Sequence, residues 1–170
     1  VLTQILENPD SLKLGGEKKR LTILFSDIKG YTTLSNTLRA EQVLELLKEY
    51  LDAMTTIILK YDGTIDKIIG DGIMAFYGAP IFYPDHAARA VDTAIEMQKE
   101  VDRLVVQWKE EGKSGLSIRI GIATGDVFVG NIGTRKHLEY TTLGTSVNLA
   151  ARLESNAPAG GILICRDTFE

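Results

Sequence analysis

Two aspartates interrupt apolar stretches that otherwise have the character of buried β-strands. Asp27 stands in LTILFSDIKGYT, and Asp71 stands in DKIIGDGIMAFYG. Burying a carboxylate costs free energy unless another group pairs with it, and two neighbouring carboxylates also repel each other. A divalent cation relieves both costs because its charge offsets theirs. The pair therefore predicts a fold in which two strand ends meet at a metal site.

Size and composition limit the other kinds of site. The 170 residues are enough for one domain with a hydrophobic core, and the net charge of −4 argues against a nucleic-acid partner. Cys165 is the only cysteine, and His86 and His137 are the only histidines, which excludes a disulfide framework and a histidine- or cysteine-based zinc site. No apolar run approaches the roughly 20 residues of a membrane span, and no signal peptide opens the chain. We expect a cytoplasmic domain, without membrane contact of its own, from a longer protein.

The first half of the chain predicts a strand, a helix, a hairpin and a second helix. LTILFS at 21–26 has the composition of a strand, and apolar residues recur at helical spacing over 40–61. TIDKII and IMAFYG flank the Gly-Asp-Gly at 70–72, which is a strong hairpin signal. A second amphipathic helix is predicted after the Pro-Asp pair at 84–85.

The second half predicts further strands and one more helix. LSIRIGIAT and DVFVGNIG predict a second hairpin that turns at Gly125-Asp126. EYTTLG predicts a short strand, VNLAARLES a helix capped by Thr145 or Ser146, and GILIC a last strand. This order predicts an α+β fold, a ferredoxin-like antiparallel sheet with its helices packed on one face.

The segment after Asp27 adds a phosphate-binding character to the metal site. Hard carboxylate oxygens favour Mg²⁺ or Mn²⁺. Gly30 allows a tight turn, and the exposed N–H groups of the helix start that follows suit a polyphosphate. This combination predicts two-metal phosphoryl chemistry. Taken singly, Asp27 is also compatible with a helix N-cap and Asp71 with a plain turn residue.

Four stretches together resemble the catalytic domain of class III nucleotidyl cyclases: FSDIKGYT, DKIIGDGIMAFYG, GIATGDVFVGNIG and YTTLGTSVNLAARLES. The resemblance covers 20–170, which implies a cyclase catalytic domain there whose last strands, with a phosphate-binding lysine, lie beyond Glu170. Residues 1–19 are then expected to be a linker from an upstream regulatory region.

The resemblance implies a role for each motif position. Asp27 and Asp71, with the carbonyl of Ile28, would hold two Mg²⁺ ions per site, with Mn²⁺ as an alternative. Asp27 would also accept the proton of the attacking hydroxyl. The remaining roles are phosphate binding by the backbone of Gly30, Tyr31 and Thr32, base recognition by Lys67 and Thr141, and stabilisation of the transition state by Asn148 and Arg152. Family members are homodimers that share each site across the interface: one chain gives the metal aspartates, and the other gives the base-recognition pair and the transition-state pair.

The base-recognition pair favours ATP as the substrate. Lys67 donates to adenine N1, and the Thr141 hydroxyl accepts from the adenine amino group, whereas guanine presents the reverse pattern. Many adenylate cyclases carry aspartate where Thr141 stands. In this chain the adenine amino group would instead donate to an uncharged hydroxyl. We therefore expect an adenylate cyclase that forms 3′,5′-cyclic AMP and pyrophosphate. The alternatives are a guanylate cyclase and a catalytically silent cyclase-like module for dimerisation or nucleotide sensing. A related palm-like cyclase is disfavoured, since the hairpin reads IIGDGIMAF and not GG[DE]EF.

Overall fold

A computed structural model describes residues 16–134 and 136–170, so most of the predicted linker lies outside the described residues. Along them the elements follow in the order β1 (Glu17–Ile28), α1 (Tyr31–Thr37), α2 (Ala40–Lys60), β2 (Thr64–Ile69), β3 (Gly72–Tyr77), α3 (His86–Glu110), β4 (Ile118–Thr134), β5 (His137–Leu143), α4 (Thr145–Asn156), β6 (Ile162–Ile164) and α5 (Arg166–Phe169). The two long helices and the first hairpin are confirmed. The first strand begins at Glu17, so the charged run assigned to the linker ends inside the sheet.

The described strands form one mixed sheet. Its order is β2-β3-β1-β4-β5, with antiparallel neighbours throughout, and β6 joins β4 in parallel. The parallel strand departs from the purely antiparallel sheet that we predicted. The parallel pairing is possible because α4 is a crossover helix. It returns the chain to the end of the sheet where β4 starts, so that β6 runs in the same direction as β4.

Helices cover both faces of the sheet, so the prediction that they share one face is wrong. Leu24 and Ile28 of β1 pack in a core with α2 and α3, whereas Leu21 and Ile23 pack in a second core with Ala150 of α4. Because side chains alternate along a strand, these two sets point to opposite faces. We call them the first face (under α2 and α3) and the second face (under α4).

The predicted hairpin at Gly125-Asp126 does not exist, because β4 is continuous through it. Gly125 pairs with Leu21 and Asp126 with Arg20 inside an unbroken ladder with β1. The glycine is needed for packing and not for a turn, since a Cβ at Gly125 would lie 2.1 Å from Ser146 Oγ. A long partner strand therefore overrides the local turn signal.

The start of α4 also differs from the prediction. Gly144 occupies the N-cap with φ +154°, a conformation that favours glycine, and no side chain caps the helix. Thr145 and Ser146 lie inside the helix, so neither is the cap.

No helix of the described residues is long and apolar enough to cross a membrane.

The arm formed by β5 and the end of β4 bends over the second face. Tyr140 of β5 packs against this core, and its ring lies 5.9 Å from that of Phe76 on β3. β5 thereby reaches β2, although the two strands are at opposite ends of the strand order. This curl decides which residues of the two outer strands meet.

Candidate active site

Asp27 and Asp71 lie next to each other at one end of the sheet. Asp27 is the penultimate residue of β1, and Asp71 occupies the turn between β2 and β3. The N–H of Ile28 donates a hydrogen bond of 2.8 Å to Asp71 Oδ2. Asp71 is therefore more than a turn residue, because its carboxylate ties the hairpin to the end of β1.

Arg119 holds the other carboxylate of this pair. It faces Asp27 across the β1–β4 ladder, and its Nε and Nη2 donate to Oδ1 and Oδ2 of Asp27 at 3.1 Å each. A planar guanidinium matches a carboxylate in this two-point arrangement. Sequence reasoning missed Arg119. Its alternation with Ile118 and Ile120 was the available signal, since it places the arginine on the face opposite the isoleucines.

Glu154 of α4 is a second functional candidate that sequence reasoning missed. Its carboxyl is buried, and Oε1 lies 3.5 Å from Arg119 Nε with no hydrogen-bond partner. Burial, together with the nearby Asp27, raises the pKa of Glu154 to about 8. The helix approaches this closely because Gly121 lies beneath it, where a Cβ would come within 2.2 Å of the Glu154 nitrogen.

The donor set fits a hard divalent cation that brings most of its own ligands. No group of three or more His, Cys, Asp or Glu side chains among the described residues is arranged to hold a metal. The set available to a cation is therefore the two aspartates and the adjacent carbonyl of Ile28. Mg²⁺ suits such a set, since it is usually held by one or two carboxylates and completes its octahedron with water and phosphate oxygens.

An open cleft of about 120 Å³ connects the end of the sheet that carries Asp27 with β2. Asp27, Lys67, Met74 and Glu154 are among the residues that line it. The cleft thus combines a carboxylate end with a cationic side and an apolar floor.

The predicted phosphate-binding segment forms a turn into a short helix. Gly30 has φ +73°, and nothing lies within 4 Å of where its Cβ would be. Tyr31 and Thr32 open α1, whose first turn contains no acidic residue. Their N–H groups follow directly after the strand that ends with Asp27 and Ile28.

Lys67 and Thr141 meet through Asp66. A β-bulge between Ile65 and Lys67 inserts Asp66 as an extra residue in β2. Thr141 Oγ1 donates a hydrogen bond to Asp66 Oδ2, and Lys67 Nζ lies 3.8 Å from Asp66 Oδ1. Burial raises the pKa of Asp66, while the Thr141 hydrogen bond and Lys67 act in the opposite direction.

Asn148 and Arg152 lie on an exposed stripe of α4. They are four residues apart and therefore share one side of the helix. Among the described residues, neither side chain forms a hydrogen bond or ion pair, whereas Glu154 turns toward Asp27. The structure does not bring this pair to the aspartates of the same protomer.

Comparison with known proteins identifies the family. Residues 16–170 match the family described as "Adenylate and Guanylate cyclase catalytic domain". Adenylate cyclase 1 of Rhizobium meliloti is 33% identical over 137 residues, which are 81% of this chain but only 21% of that protein. This chain therefore spans about a fifth of the length of that relative.

Two solved structures share the fold. The adenylyl cyclase CyaB from P. aeruginosa is 46% identical with a TM-score of 0.88, over 92% of this chain and 81% of that one. The guanylyl cyclase Cya2 is 40% identical with a TM-score of 0.87, over 92% and 79% respectively. With the motifs and the fold in agreement, the chain belongs to the adenylate and guanylate cyclase catalytic domain family and is a nucleotidyl cyclase domain.

Proposed function

We propose that this domain is an adenylate cyclase that converts ATP to 3′,5′-cyclic AMP and pyrophosphate. The observation that carries the proposal is that Lys67 and Thr141 both contact the carboxylate of Asp66 and so lie close together. A lysine only donates hydrogen bonds, which suits adenine N1, whereas guanine presents an N1–H donor there. The similarity to CyaB supports the same conclusion.

Each residue then has a defined task in the reaction. Mg²⁺ held by Asp27, Asp71 and the Ile28 carbonyl would offset phosphate charge and acidify the ribose 3′-hydroxyl. Asp27 accepts the hydroxyl proton as the O3′–Pα bond forms and the bond from Pα to the pyrophosphate oxygen breaks. Backbone N–H groups of Gly30, Tyr31 and Thr32 bind the phosphates.

Asn148 and Arg152 act on the reacting atoms in this proposal. Asn148 orients the ribose by hydrogen bonding, and Arg152 presents its planar fork of donors to the phosphate that gains charge. Their exposed position on α4 implies that the atoms they touch belong to a nucleotide held mainly by another protomer.

The domain works as a homodimer with shared sites in this proposal. Arg152 and Glu154 are two residues apart, so they project from nearly opposite sides of α4. Since Glu154 faces Asp27 of its own protomer, Arg152 faces away from it. In each site of the proposed dimer, one copy gives the metal-binding aspartates, and the second copy gives the base-recognition pair together with Asn148 and Arg152.

A guanylate cyclase is the second candidate. The similarity to the guanylyl cyclase Cya2 favours it, and Thr141 carries no charge that would repel guanine O6. Lys67 argues against it, because guanine N1–H would face an ammonium group that cannot accept its hydrogen.

Product analysis with ATP and GTP tests the proposal. The wild-type protein in its full-length form should produce cyclic AMP from ATP in preference to cyclic GMP from GTP. Lys67→Glu should reduce the ATP preference by about 100-fold, because an unpaired buried donor or acceptor is strongly rejected. Lys109→Glu, which makes the same charge change at an exposed position of α3, is the matched control. A wild-type preference for GTP, or an unchanged preference in Lys67→Glu, would contradict the proposal.

A further inference from the structure

Asp66 has no role in the reaction described above, yet its position is unusual for a carboxylate. Its side chain is 1% exposed in the middle of an outer strand. Oδ2 accepts the hydroxyl hydrogen of Thr141, and Oδ1 has no hydrogen-bond partner among the described atoms. Burying a carboxylate costs stability, and the Lys67 ammonium at 3.8 Å from Oδ1 offsets part of that cost without a hydrogen bond, so a compensating role is expected.

The bulge in β2 creates this arrangement. In a regular strand Asp66 and Lys67 would point to opposite faces, and only one of them could reach the second face. The extra residue at 66 lets Lys67 pair with Met74 while Asp66 meets Thr141 on the arm. Both base-reading residues are therefore next to the same carboxylate.

The hydrogen bond to Asp66 determines what Thr141 can offer to a base. A threonine hydroxyl has one hydrogen to donate and two lone pairs that accept. Because the hydrogen is directed to Asp66 Oδ2, only lone pairs remain for a ligand. Without Asp66 the hydroxyl could rotate and donate its hydrogen, and Thr141 would then accept either adenine or guanine.

We propose that Asp66 is a specificity-determining positioning residue, which fixes the Thr141 hydroxyl as an acceptor and thereby selects adenine. The adenine amino group donates to that lone pair, whereas guanine O6 would face another acceptor and be repelled. The inference rests on the proposed function, in which Lys67 and Thr141 read the base. It explains how an uncharged threonine distinguishes adenine from guanine, which an aspartate at the same position would do through its charge.

The first experiment measures the ratio of kcat/KM for ATP to that for GTP. Asp66→Asn preserves the size of the side chain but offers an amide that can donate to Thr141 and release its hydrogen. We expect this ratio to fall by about tenfold, mainly through faster use of GTP. Glu139→Gln is the matched control, because its carboxylate also lies near Lys67, at 3.9 Å, but does not touch Thr141. The control should leave the ratio unchanged.

A double-mutant cycle separates positioning from a general structural effect. In a Thr141→Val background no hydroxyl remains, so Asp66→Asn should no longer change the ATP to GTP ratio. In a Thr141→Ser background the hydroxyl is retained, and the effect should persist. An Asp66→Asn effect of equal size in the valine background would overturn the inference, since the aspartate would then act through Lys67 or the fold.

The outcomes also distinguish this inference from the proposed function. If the wild type cyclises ATP but Asp66→Asn keeps its preference, only the role of Asp66 fails. If the wild type cyclises neither nucleotide, the proposed function fails. In that case the role of Asp66 is tested by calorimetric titration of ATP and GTP in the presence of Ca²⁺. The same ratio of the two dissociation constants in wild type and Asp66→Asn would contradict that role.

Discussion

At the scale of single residues, the active end of the sheet is organised by the partners of its two aspartates. Asp71 accepts the Ile28 N–H, and Asp27 accepts two hydrogens from Arg119. These bonds hold each carboxylate in place, and none of them uses the Ile28 carbonyl oxygen. Hydrogen bonds to neighbouring residues thus fix the positions of both carboxylates.

Replacing Asp71 separates its charge from its hydrogen bond. Asp71→Asn retains an oxygen that accepts from Ile28, so the melting temperature should stay close to that of the wild type. Loss of the charge should lower cyclase turnover by at least about 100-fold and weaken Mn²⁺ binding measured by calorimetry. Asp126→Asn, an exposed aspartate on β4, is the control. Normal turnover in Asp71→Asn would contradict the metal assignment.

The sequence predicted Asp27 and Asp71 but neither Arg119 nor Glu154. The aspartates stand out because a charge at the end of an apolar run conflicts with burial. An arginine that alternates with isoleucines, or a glutamate in an amphipathic helix, has an ordinary solvent-exposed alternative. Only the strand register and the docking of α4 bring these two residues to Asp27.

At the scale of elements, the docking of α4 on the second face depends on close backbone contact. The helix crosses β4 at Gly121 and Gly125, where any side chain would collide with it. Local signals identified this helix correctly but misread Gly125-Asp126 as a turn. The distinction requires knowledge of the partner strand, because the same dipeptide suits a hairpin and a place where a helix packs closely.

Gly121→Ala tests this close packing. The new methyl would lie 2.2 Å from the Glu154 nitrogen and 2.4 Å from the Ala150 carbonyl oxygen, so the helix must move away. We expect a loss of about 3 kcal/mol in the free energy of unfolding, measured with urea. Gly115→Ala, whose methyl would meet side-chain atoms only, Val105 at 3.1 Å and the flexible Lys109 at 3.9 Å, should cost much less. Equal stabilities of the two variants would show that the docking is looser than described.

At the scale of the whole molecule, a buried chain of polar side chains on the first face connects α3, through the two central strands, to α5. His86 Nδ1 lies 2.6 Å from Thr22 Oγ1, Thr22 bonds Thr124 at 2.9 Å, and Thr124 bonds Thr168 at 2.9 Å. These contacts link α3, β1, β4 and α5. Burial, with Arg20 nearby, lowers the pKa of His86 below its ordinary value.

The direction of this shift predicts how stability depends on pH. The unfolded chain binds a proton on histidine near pH 6.5, whereas folded His86 resists protonation. The contribution of His86 to the free energy of unfolding should therefore fall as the pH drops below about 6.5 and level off once the folded histidine is also protonated. Glu154, whose pKa is raised to about 8 in the folded protein, contributes with the opposite sign in both the wild type and a His86 variant. His86→Gln should flatten this slope in urea titrations between pH 7 and pH 5, roughly the range over which histidine titrates. His137→Gln, at an exposed position, should retain the slope. An unchanged slope in His86→Gln would rule out this origin.

The bend of the arm over the second face has a consequence for how this protein could evolve. Asp66 and Thr141 belong to the first and last strands of the main strand order, so their hydrogen bond joins the two edges of the curled sheet. In the proposed role of Asp66, base preference depends on the curvature of the whole sheet and not on one pocket alone. Substitutions far from the aspartates, such as at the Phe76–Tyr140 contact, would retune the choice of nucleotide while the chemical machinery stays intact.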